Sequence, residues 1–402
     1  MKKIFKYLTI AAVPVILAMG SCTNGFKDYN TDPNSMPMWK VPAMNLLPNI
    51  LFSGADGYLY RTWQINGELM QYTVHMYTEN IHRYMIRETH LSGAWNHLSR
   101  WAGDADHMVR VAEMQEDDNC LAISLTMRAL YMADLVSVWG DVPFTEAFSA
   151  WDEEPNTKPK FDTQQDIFTQ LLADLEKANT LYNSNVKLAD PDKDLMYAGD
   201  LVKWKKFTNS LHLRLLVRLL NRDSEMNVSA KIREILERPS QYPVFEDNKD
   251  NATLFYSGVS PYRNRFGANN ESSFSSNSRK MSEFFIDQMV NSGAPRIGIF
   301  AKPVDYQWNG LISGFPPTDT VAAGCSNLNK DVRGDYTSPY SFMRYDEILF
   351  SRAEAAHKGI VAGGDAAARQ YYNEAILASI DHWDEINPST TYKVTEAQKE
   401  QF

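Results

Sequence analysis

Cysteine is scarce in this sequence and forms no recognisable pattern. The 402 residues include three cysteines, Cys22, Cys120 and Cys325. No pair of them has the spacing of a metal-binding motif, and the two that remain after Cys22 cannot form a disulfide framework. We therefore predict free thiols at Cys120 and Cys325, with a bridge between the two as the alternative.

The sequence also lacks an excess of positive charge. It has 40 lysines and arginines against 50 acidic residues, which gives a formal net charge of −10. Removal of residues 1–21 would take away three lysines and no acid, and would leave a net charge of −13. Such a chain is a poor partner for a phosphate backbone, and no basic stripe offsets this, so nucleic-acid binding is excluded.

The common catalytic motifs are missing as well. The sequence contains no Gly-rich phosphate loop, no His-Glu-x-x-His and no Gly-x-Ser-x-Gly. Asp190–Asp194 begins like a calcium loop, but Leu195 stands where the loop needs glycine, so a solvated acidic turn is predicted. Five histidines lie in one stretch, and the first four could share one helix face, yet they have no fixed carboxylate partner; they are His75, His82, His90, His97 and His107. We predict neither a metal nor a cofactor.

The N-terminus has the form of a secretion signal. Lysines open residues 1–21, and an apolar run of 12 residues, Leu8–Met19, is too short to span a bilayer as a helix. Small residues then precede Cys22, an arrangement that resembles a bacterial lipobox and implies cleavage before a lipid-modified Cys22. Ordinary cleavage with an incidental cysteine is the alternative. Residues 22–41 are predicted to form a lipid-anchored tether and arm, and residues 42–402 a single helical domain.

One stretch is apolar around most of a helix circumference. Leu121–Val138 carries almost no charge, so we predict a core helix buried on several sides. Gly140 can end this helix in a left-handed cap, and Pro143 cannot continue it. The chain should therefore turn in a fixed corner at Trp139–Phe144.

Polar capping residues mark further helices. Asp162 is predicted to cap one, with Gln165 completing a capping box, and Asp200 another, in which Trp204 and Leu211 should be buried. Residues 238–340 are rich in Gly, Pro, Ser and Asn, which predicts loops and short strands around one helix near residues 278–290.

The C-terminal part predicts a helix hairpin. Glu347–Lys358 and a helix capped by Asp365 that runs to Trp383 together have nearly the length of a tetratricopeptide-type repeat. Thr395 should cap a last helix that starts at Glu396. We expect the scaffold to continue beyond Phe402.

Several motifs resemble one family. They are Asn30-Thr31-Asp32-Pro33-Asn34, Trp139-Gly140-Asp141-Val142-Pro143-Phe144, Tyr197-Ala198-Gly199-Asp200 with Lys203-Trp204, and Phe350-Ser351-Arg352-Ala353-Glu354-Ala355-Ala356. Together they resemble the SusD/RagB family of outer-membrane nutrient-binding lipoproteins. Where that family has Asp-Pro-Arg, this chain has Ala294-Pro295-Arg296. The resemblance implies a mainly α fold, one SusD-like domain with tetratricopeptide-like hairpins and a loop-rich region that faces the ligand.

The same resemblance implies a function. Family members are non-enzymatic surface proteins that bind an oligosaccharide or related nutrient and deliver it to a TonB-dependent, SusC-like β-barrel transporter in the outer membrane. Two alternatives stay open from the residues alone. One is a secreted helical glycoside hydrolase with paired carboxylates, since acidic side chains are plentiful. The other is a purely structural helical adaptor.

Family binding surfaces draw on two stretches, which correspond here to Tyr72–Trp101 and Asp305–Phe315. Gly93 predicts a loop or helix end beside Trp95, and Trp308 lies in a polar loop. Aromatic rings can stack on sugars, and amides can donate to and accept from their hydroxyls. The predicted ligand residues are Trp95, Trp308, Tyr77, Tyr84, Arg83, Asn96 and Asn309, with both Trp rings partly exposed on one concave surface. Alternatively, these rings only fix their own loops.

Overall fold

The computed structural model describes residues 40–76, 81–149, 154–268, 279–316, 324–333 and 335–402. Residues 43–402 form one compact unit. The predicted signal, Cys22 and most of the tether lie outside the described residues. Their assignment stays a prediction.

Helices make up most of the described chain. The longer ones are α1 (Leu47–Arg61), α2 (Glu88–Met114), α3 (Asp118–Trp139), α4 (Gln164–Leu181), α5 (Leu201–Arg218), α6 (Val228–Glu237), α7 (Glu283–Asn291), α8 (Tyr345–His357), α9 (Gly364–Glu385) and α10 (Glu396–Gln401). A π-helical segment, Thr62–Asn66, continues α1. The predicted mainly α architecture is confirmed.

Strands are short and pair in three antiparallel ladders within the described residues. They are β1 (Thr73–His75), β2 (Ala252–Leu254), β3 (Arg279–Met281), β4 (Ala301–Lys302), β5 (Asn327–Leu328) and β6 (Tyr340–Met343). β1 pairs with β3, β2 with β6, and β4 with β5. The described part of the region that the sequence predicts as loops and short strands therefore has that form. Its helix begins at Glu283, after β3, and not near residue 278.

The predicted core helix is confirmed as α3. Asp117 caps it by accepting a hydrogen bond from the amide of Cys120, and Gly140 ends it with φ at 74°. By length and composition α3 could cross a membrane, but most of it is buried inside the protein, as expected of a core helix. Tyr131 ties it to α1, because its hydroxyl donates to the carbonyl oxygen of Ile50 at 2.7 Å.

Asp162 does not cap α4, and that prediction is wrong. The cap is Thr163, whose hydroxyl accepts from the amide of Asp166. Asp162 instead holds the corner after α3, because one of its carboxylate oxygens accepts from the amides of Phe144 at 3.0 Å and Thr145 at 2.7 Å. Its carboxylate satisfies the buried amide of Phe144, which would otherwise lack a partner, and leaving a buried amide without a partner costs more than losing a solvent-exposed cap.

The predictions for α5 are confirmed, with one correction. Asp200 caps the helix through the amides of Val202 and Lys203, and Trp204 and Leu211 are buried. The turn before it is not fully solvated as predicted, because Asp194 is buried. It accepts hydrogen bonds from three backbone amides and from the Trp204 indole; the amides belong to Met196, Tyr197 and Gly199.

The C-terminal helices form the predicted hairpin, in which α8 packs along α9. Gly363, with φ at 110°, precedes α9, so Asp365 lies in the first turn and is not the cap. Thr395 caps α10 in a capping box with Gln398, as predicted. Cys120 and Cys325 are both free and buried, which confirms the free thiols over the bridge.

Candidate ligand-binding site

Two stretches that are distant in sequence meet on the surface of the domain. Arg83 donates from Nη1 to the carbonyl oxygen of Phe315 at 2.7 Å, and the amide of Gly314 donates to Nδ1 of His82 at 3.0 Å. The rings of His82 and Phe315 stack with centroids 5.0 Å apart. The structure thus brings together the two regions from which the sequence predicts the ligand surface.

A cavity of about 510 Å³ lies where these stretches meet. Its volume falls within the range of about 300–1,000 Å³ that is usual for small-molecule sites. The described residues that line it are Gln71, His82, Arg83, Tyr84, Glu283, Phe284, Ile312, Ser313 and Gly314. The lining combines aromatic rings with one basic and one acidic side chain, a mixture that suits a polar ligand with apolar faces.

Two aromatic rings in this lining are exposed. Tyr84 is 71% exposed, and its backbone is left-handed with φ at 59°, fixed by a 2.7 Å hydrogen bond from its amide to Ile81. A bulky residue seldom adopts this conformation, and such strain is commonest at functional sites. Phe284 is 53% exposed because the neighbouring Phe285 takes the core-facing position of α7.

A buried ion pair supports the turn that carries Tyr84. Glu68 and Arg279 are 1% and 3% exposed, and their side chains meet at 2.5 Å. The second carboxylate oxygen of Glu68 accepts from the amide of His82 at 3.1 Å. Because Arg279 belongs to β3, the pair connects this turn to the β1–β3 ladder.

His82 is uncharged at neutral pH. Burial, followed by the positive charges of Arg83 and Arg279, lowers the pKa of its imidazole to about 4. Nδ1 accepts from Gly314, so the ring hydrogen is assigned to Nε2. The charged side chains among the described lining residues are therefore Arg83 and Glu283, and they balance each other.

Of the seven residues predicted from sequence, Arg83 and Tyr84 line the cavity. Tyr77 lies outside the described residues. Trp95, Asn96, Trp308 and Asn309 are not among the described lining residues, although both Trp rings are half-buried and both Asn residues are exposed. That the two Trp rings line one concave surface stays a prediction.

Trp95 lies within a helix, so the loop or helix end predicted at Gly93 is wrong. Both residues belong to α2, and the Trp95 ring meets that of Trp139 edge-on with centroids 5.3 Å apart. Gly93 has a different role in this helix. A Cβ at this position would lie 2.6 Å from Nη1 of Arg61, so the glycine makes room for that guanidinium.

Trp308 packs against the buried residues Met281, Ile286 and Ala301. The backbone of Asn309 is held by Ser326, whose amide donates to its carbonyl oxygen at 2.6 Å. These contacts also fit the alternative in which the ring fixes its own loop.

Sequence reasoning missed Gln71, Phe284 and Ile312. A signal was available for Phe284, because two adjacent phenylalanines at the start of an amphipathic helix cannot both face the core. It also missed Tyr306, which is 97% exposed at a hairpin tip where Asp305 and Tyr306 both have positive φ. Nothing in the sequence pattern distinguishes Gln71 or Ile312 from other loop residues.

The described residues hold no group of three His, Cys, Asp or Glu side chains that could bind a metal ion. Glu283 is the one carboxylate among the described residues of the cavity lining. The usual glycoside hydrolase mechanism needs two carboxylates across the scissile bond.

Solved structures with the same fold are SusD homologues and chitin-binding proteins. One, a chitin-binding protein, gives a TM-score of 0.74 at 22% identity over 90% of this chain and 78% of that chain. A SusD homologue from Bacteroides fragilis gives 0.72 at 21% identity, with 88% and 77% covered. A chitin-binding SusD homologue from Flavobacterium johnsoniae gives 0.69 at 18% identity, with 87% and 71% covered. No curated protein sequence matches significantly.

A family model matches nearly the whole chain, over residues 33–401. Its description is starch-binding, associating with outer membrane. Members of this family bind carbohydrate and are not enzymes, which confirms the non-enzymatic prediction over the glycoside hydrolase. The chain belongs to the SusD-like family of outer-membrane-associated proteins.

Proposed function

We propose that this protein binds an oligosaccharide at the cavity that Tyr84 and Phe284 border, as the nutrient-binding component of an outer-membrane uptake system. The observation that carries the proposal is two exposed aromatic rings at a cavity of about 510 Å³. Family membership supports the ligand class, and the chitin-binding relatives make chito-oligosaccharides a reasonable first probe besides starch fragments.

The chemistry of the lining fits a sugar. Aromatic rings stack on the apolar faces of sugar rings, while polar side chains take the hydroxyls. The Gln71 amide can both donate and accept, and the Glu283 carboxylate can accept. No proton transfer is required, so such a site works without a residue of shifted pKa.

The other predicted ligand residues remain part of the proposal. Trp95 with Asn96, and Trp308 with Asn309, are candidates to contact parts of a longer oligosaccharide that extend beyond the cavity. Tyr77 precedes the turn that carries Arg83 in the sequence, so it is also a candidate to contact the oligosaccharide.

Replacing Tyr84 with alanine is expected to weaken oligosaccharide binding by about 1–3 kcal/mol, because the ring supplies contact area that only the ligand covers. The melting temperature should change little, since the ring packs little in the free protein. A glycan array should first identify the ligand, and titration calorimetry should then compare the variants.

Tyr372→Ala is the matched control, because Tyr372 is also exposed but lies on α9, away from the cavity lining. Equal affinities for the wild type and Tyr84→Ala would show that the cavity is not the binding site.

We further propose that Cys22 carries the lipid that anchors the protein at the cell surface. Cys22→Ala should move the protein from the membrane fraction to the soluble fraction, because removing the acyl chains removes the apolar contact with the bilayer. Immunoblots of fractionated cells measure this. Unchanged sedimentation with membranes would contradict the anchor.

The proposed partner is a SusC-like, TonB-dependent β-barrel transporter, to which the bound ligand is delivered. Mild detergent extraction of native membranes should co-purify this protein with a large β-barrel protein. Mass spectrometry of the purified complex identifies the partner. Repeated isolation of this chain alone would count against the partnership.

A further inference from the structure

A second group of polar side chains surrounds the end of α1 and the start of the π segment. We call Asp56, Tyr60, Arg61, Gln64 and Arg265 the Arg61 cluster. The Tyr60 ring has the guanidinium carbons of Arg61 and Arg265 at 5.0 and 4.4 Å from its centroid. The members of this cluster are half-buried at the protein surface. π-Helical turns frequently occur at functional sites.

The charges in this cluster do not balance. Arg265 binds both carboxylate oxygens of Asp56, at 2.7 and 2.6 Å, so these two charges cancel. Within the described part of the chain, Arg61 has no carboxylate partner; it donates from Nη1 to the Gln64 amide oxygen at 2.8 Å. Burial lowers the pKa of Arg61; the Tyr60 side chain opposes this shift and the nearby Arg265 charge adds to it.

Two buried N–H donors near this cluster also lack acceptors among the described residues. One is Nε of Arg61. The other is Nε2 of His97, which carries the ring hydrogen because Nδ1 accepts from the Trp101 indole at 3.1 Å. Burial and the Arg61 charge lower the pKa of His97 to about 4, so its ring is neutral at pH 7. Among the described residues, the cluster therefore carries one positive charge, that of Arg61, for which no carboxylate partner is present.

The side chain of Arg61 packs against the neighbouring helix. Its guanidinium lies against Gly93 of α2, where a Cβ would come within 2.6 Å of Nη1, 2.8 Å of Nη2 and 2.9 Å of Cζ. A planar guanidinium can bind an oxyanion with two parallel hydrogen bonds.

We propose that the Arg61 cluster binds an oxyanion on the glycan, so that the preferred ligand carries acidic groups, as uronic acid carboxylates or sulfate esters. This inference rests on the proposed function and specifies its ligand class. The net charge of the protein, −10, disfavours acidic ligands at long range. At physiological ionic strength charges are screened beyond about 8 Å. The nearby charge of Arg61 therefore affects an acidic ligand more than the net charge of the protein does.

Binding should be measured by titration calorimetry with four probes. They are a short oligogalacturonate, the same oligosaccharide after carboxyl reduction, a sulfated galactan oligosaccharide without uronic acid and its desulfated form. We expect at least one acidic probe to bind about tenfold or more tightly than its neutral form, a difference of about 1.4 kcal/mol. The probe that binds distinguishes carboxylate from sulfate recognition.

Three variants test the role of Arg61. Arg61→Gln removes the charge, and Arg61→Lys keeps the charge but loses the planar fork. Gly93→Ala keeps the arginine but displaces its guanidinium, and it should not destabilise the protein because alanine favours a helix interior over glycine. Each variant should lower the affinity for the acidic probe about tenfold and leave the affinity for the neutral form unchanged. Arg222→Gln is the control, because Arg222 is an exposed surface arginine paired with Glu225.

The outcomes separate this inference from the proposed function. If acidic and neutral probes bind equally, or if Arg61→Gln and Gly93→Ala leave the acidic preference intact, the oxyanion site is wrong even though oligosaccharide binding stands. If neutral oligosaccharides alone bind, and Tyr84→Ala weakens them, the cavity is supported and the acidic ligand class is overturned. If none of the probes or array glycans binds, both proposals fail.

Discussion

Replacing Trp204 with alanine is expected to lower the free energy of unfolding by about 3–5 kcal/mol, the cost of removing a large buried aromatic side chain. Trp204 is fully buried, and its indole nitrogen donates to Asp194 at 2.7 Å. Its ring packs against those of Tyr197 and Phe207, with centroids 5.5 and 5.9 Å apart. The substitution would therefore leave a cavity and also remove a donor from the buried Asp194.

Urea denaturation at equilibrium measures this loss, provided that unfolding is two-state. Leu211→Ala on the same helix should cost about 2–5 kcal/mol, because Leu211 is equally buried. Val202→Ala is the control, since Val202 is exposed on α5 and should change stability by no more than about 0.5 kcal/mol. If Trp204→Ala lowered the free energy of unfolding by less than about 0.5 kcal/mol, α5 would not pack as described.

Replacing Glu68 with leucine is expected to cost about 3–5 kcal/mol, because it leaves the buried Arg279 without its carboxylate. The amide of His82 would lose its acceptor as well. We therefore expect the turn that carries Tyr84 to loosen, and oligosaccharide affinity to fall together with stability.

The double variant Glu68→Leu/Arg279→Met separates the two effects. Replacing both members of a buried ion pair with apolar residues often restores stability. Denaturant unfolding should show most of the loss recovered in the double variant. Equal losses in the single and double variants would mean that the pair contributes little and that packing alone accounts for the effect.

Local sequence patterns were sufficient for the main helices. The apolar circumference of Leu121–Val138 requires burial, and a glycine such as Gly140 ends a helix at low cost, so α3 could be derived from the residues alone. Asp200 and Thr395 were identified as caps because no competing residue stands beside them. For α4, tertiary contacts decided which residue is the cap. Asp162 and Thr163 can both cap this helix, but Asp162 accepts hydrogen bonds from the amides of the corner after α3 instead.

The sequence narrows the position of the site to two stretches of the chain and no further. Which rings they expose depends on packing across the fold. Phe285 packs against the cluster that also holds Trp308, and this leaves Phe284 outside. The left-handed conformation of Tyr84 has no sequence signal either, because the turn that it ends is held by Glu68 from a distant part of the chain. Gly93 suggested a loop because its contact is with Arg61 of another helix, and a local sequence pattern does not show that contact.

The central claim is that the cavity bordered by Tyr84 and Phe284 binds the oligosaccharide, and a crystal structure with the ligand identified on the array tests it most directly. We predict a sugar ring within about 4 Å of the Tyr84 or Phe284 side chain, the distance of van der Waals contact. A second cavity, of about 460 Å³ and lined in part by Phe255, provides the contrasting location. An ordered oligosaccharide there or elsewhere, with no sugar at Tyr84, would contradict the claim.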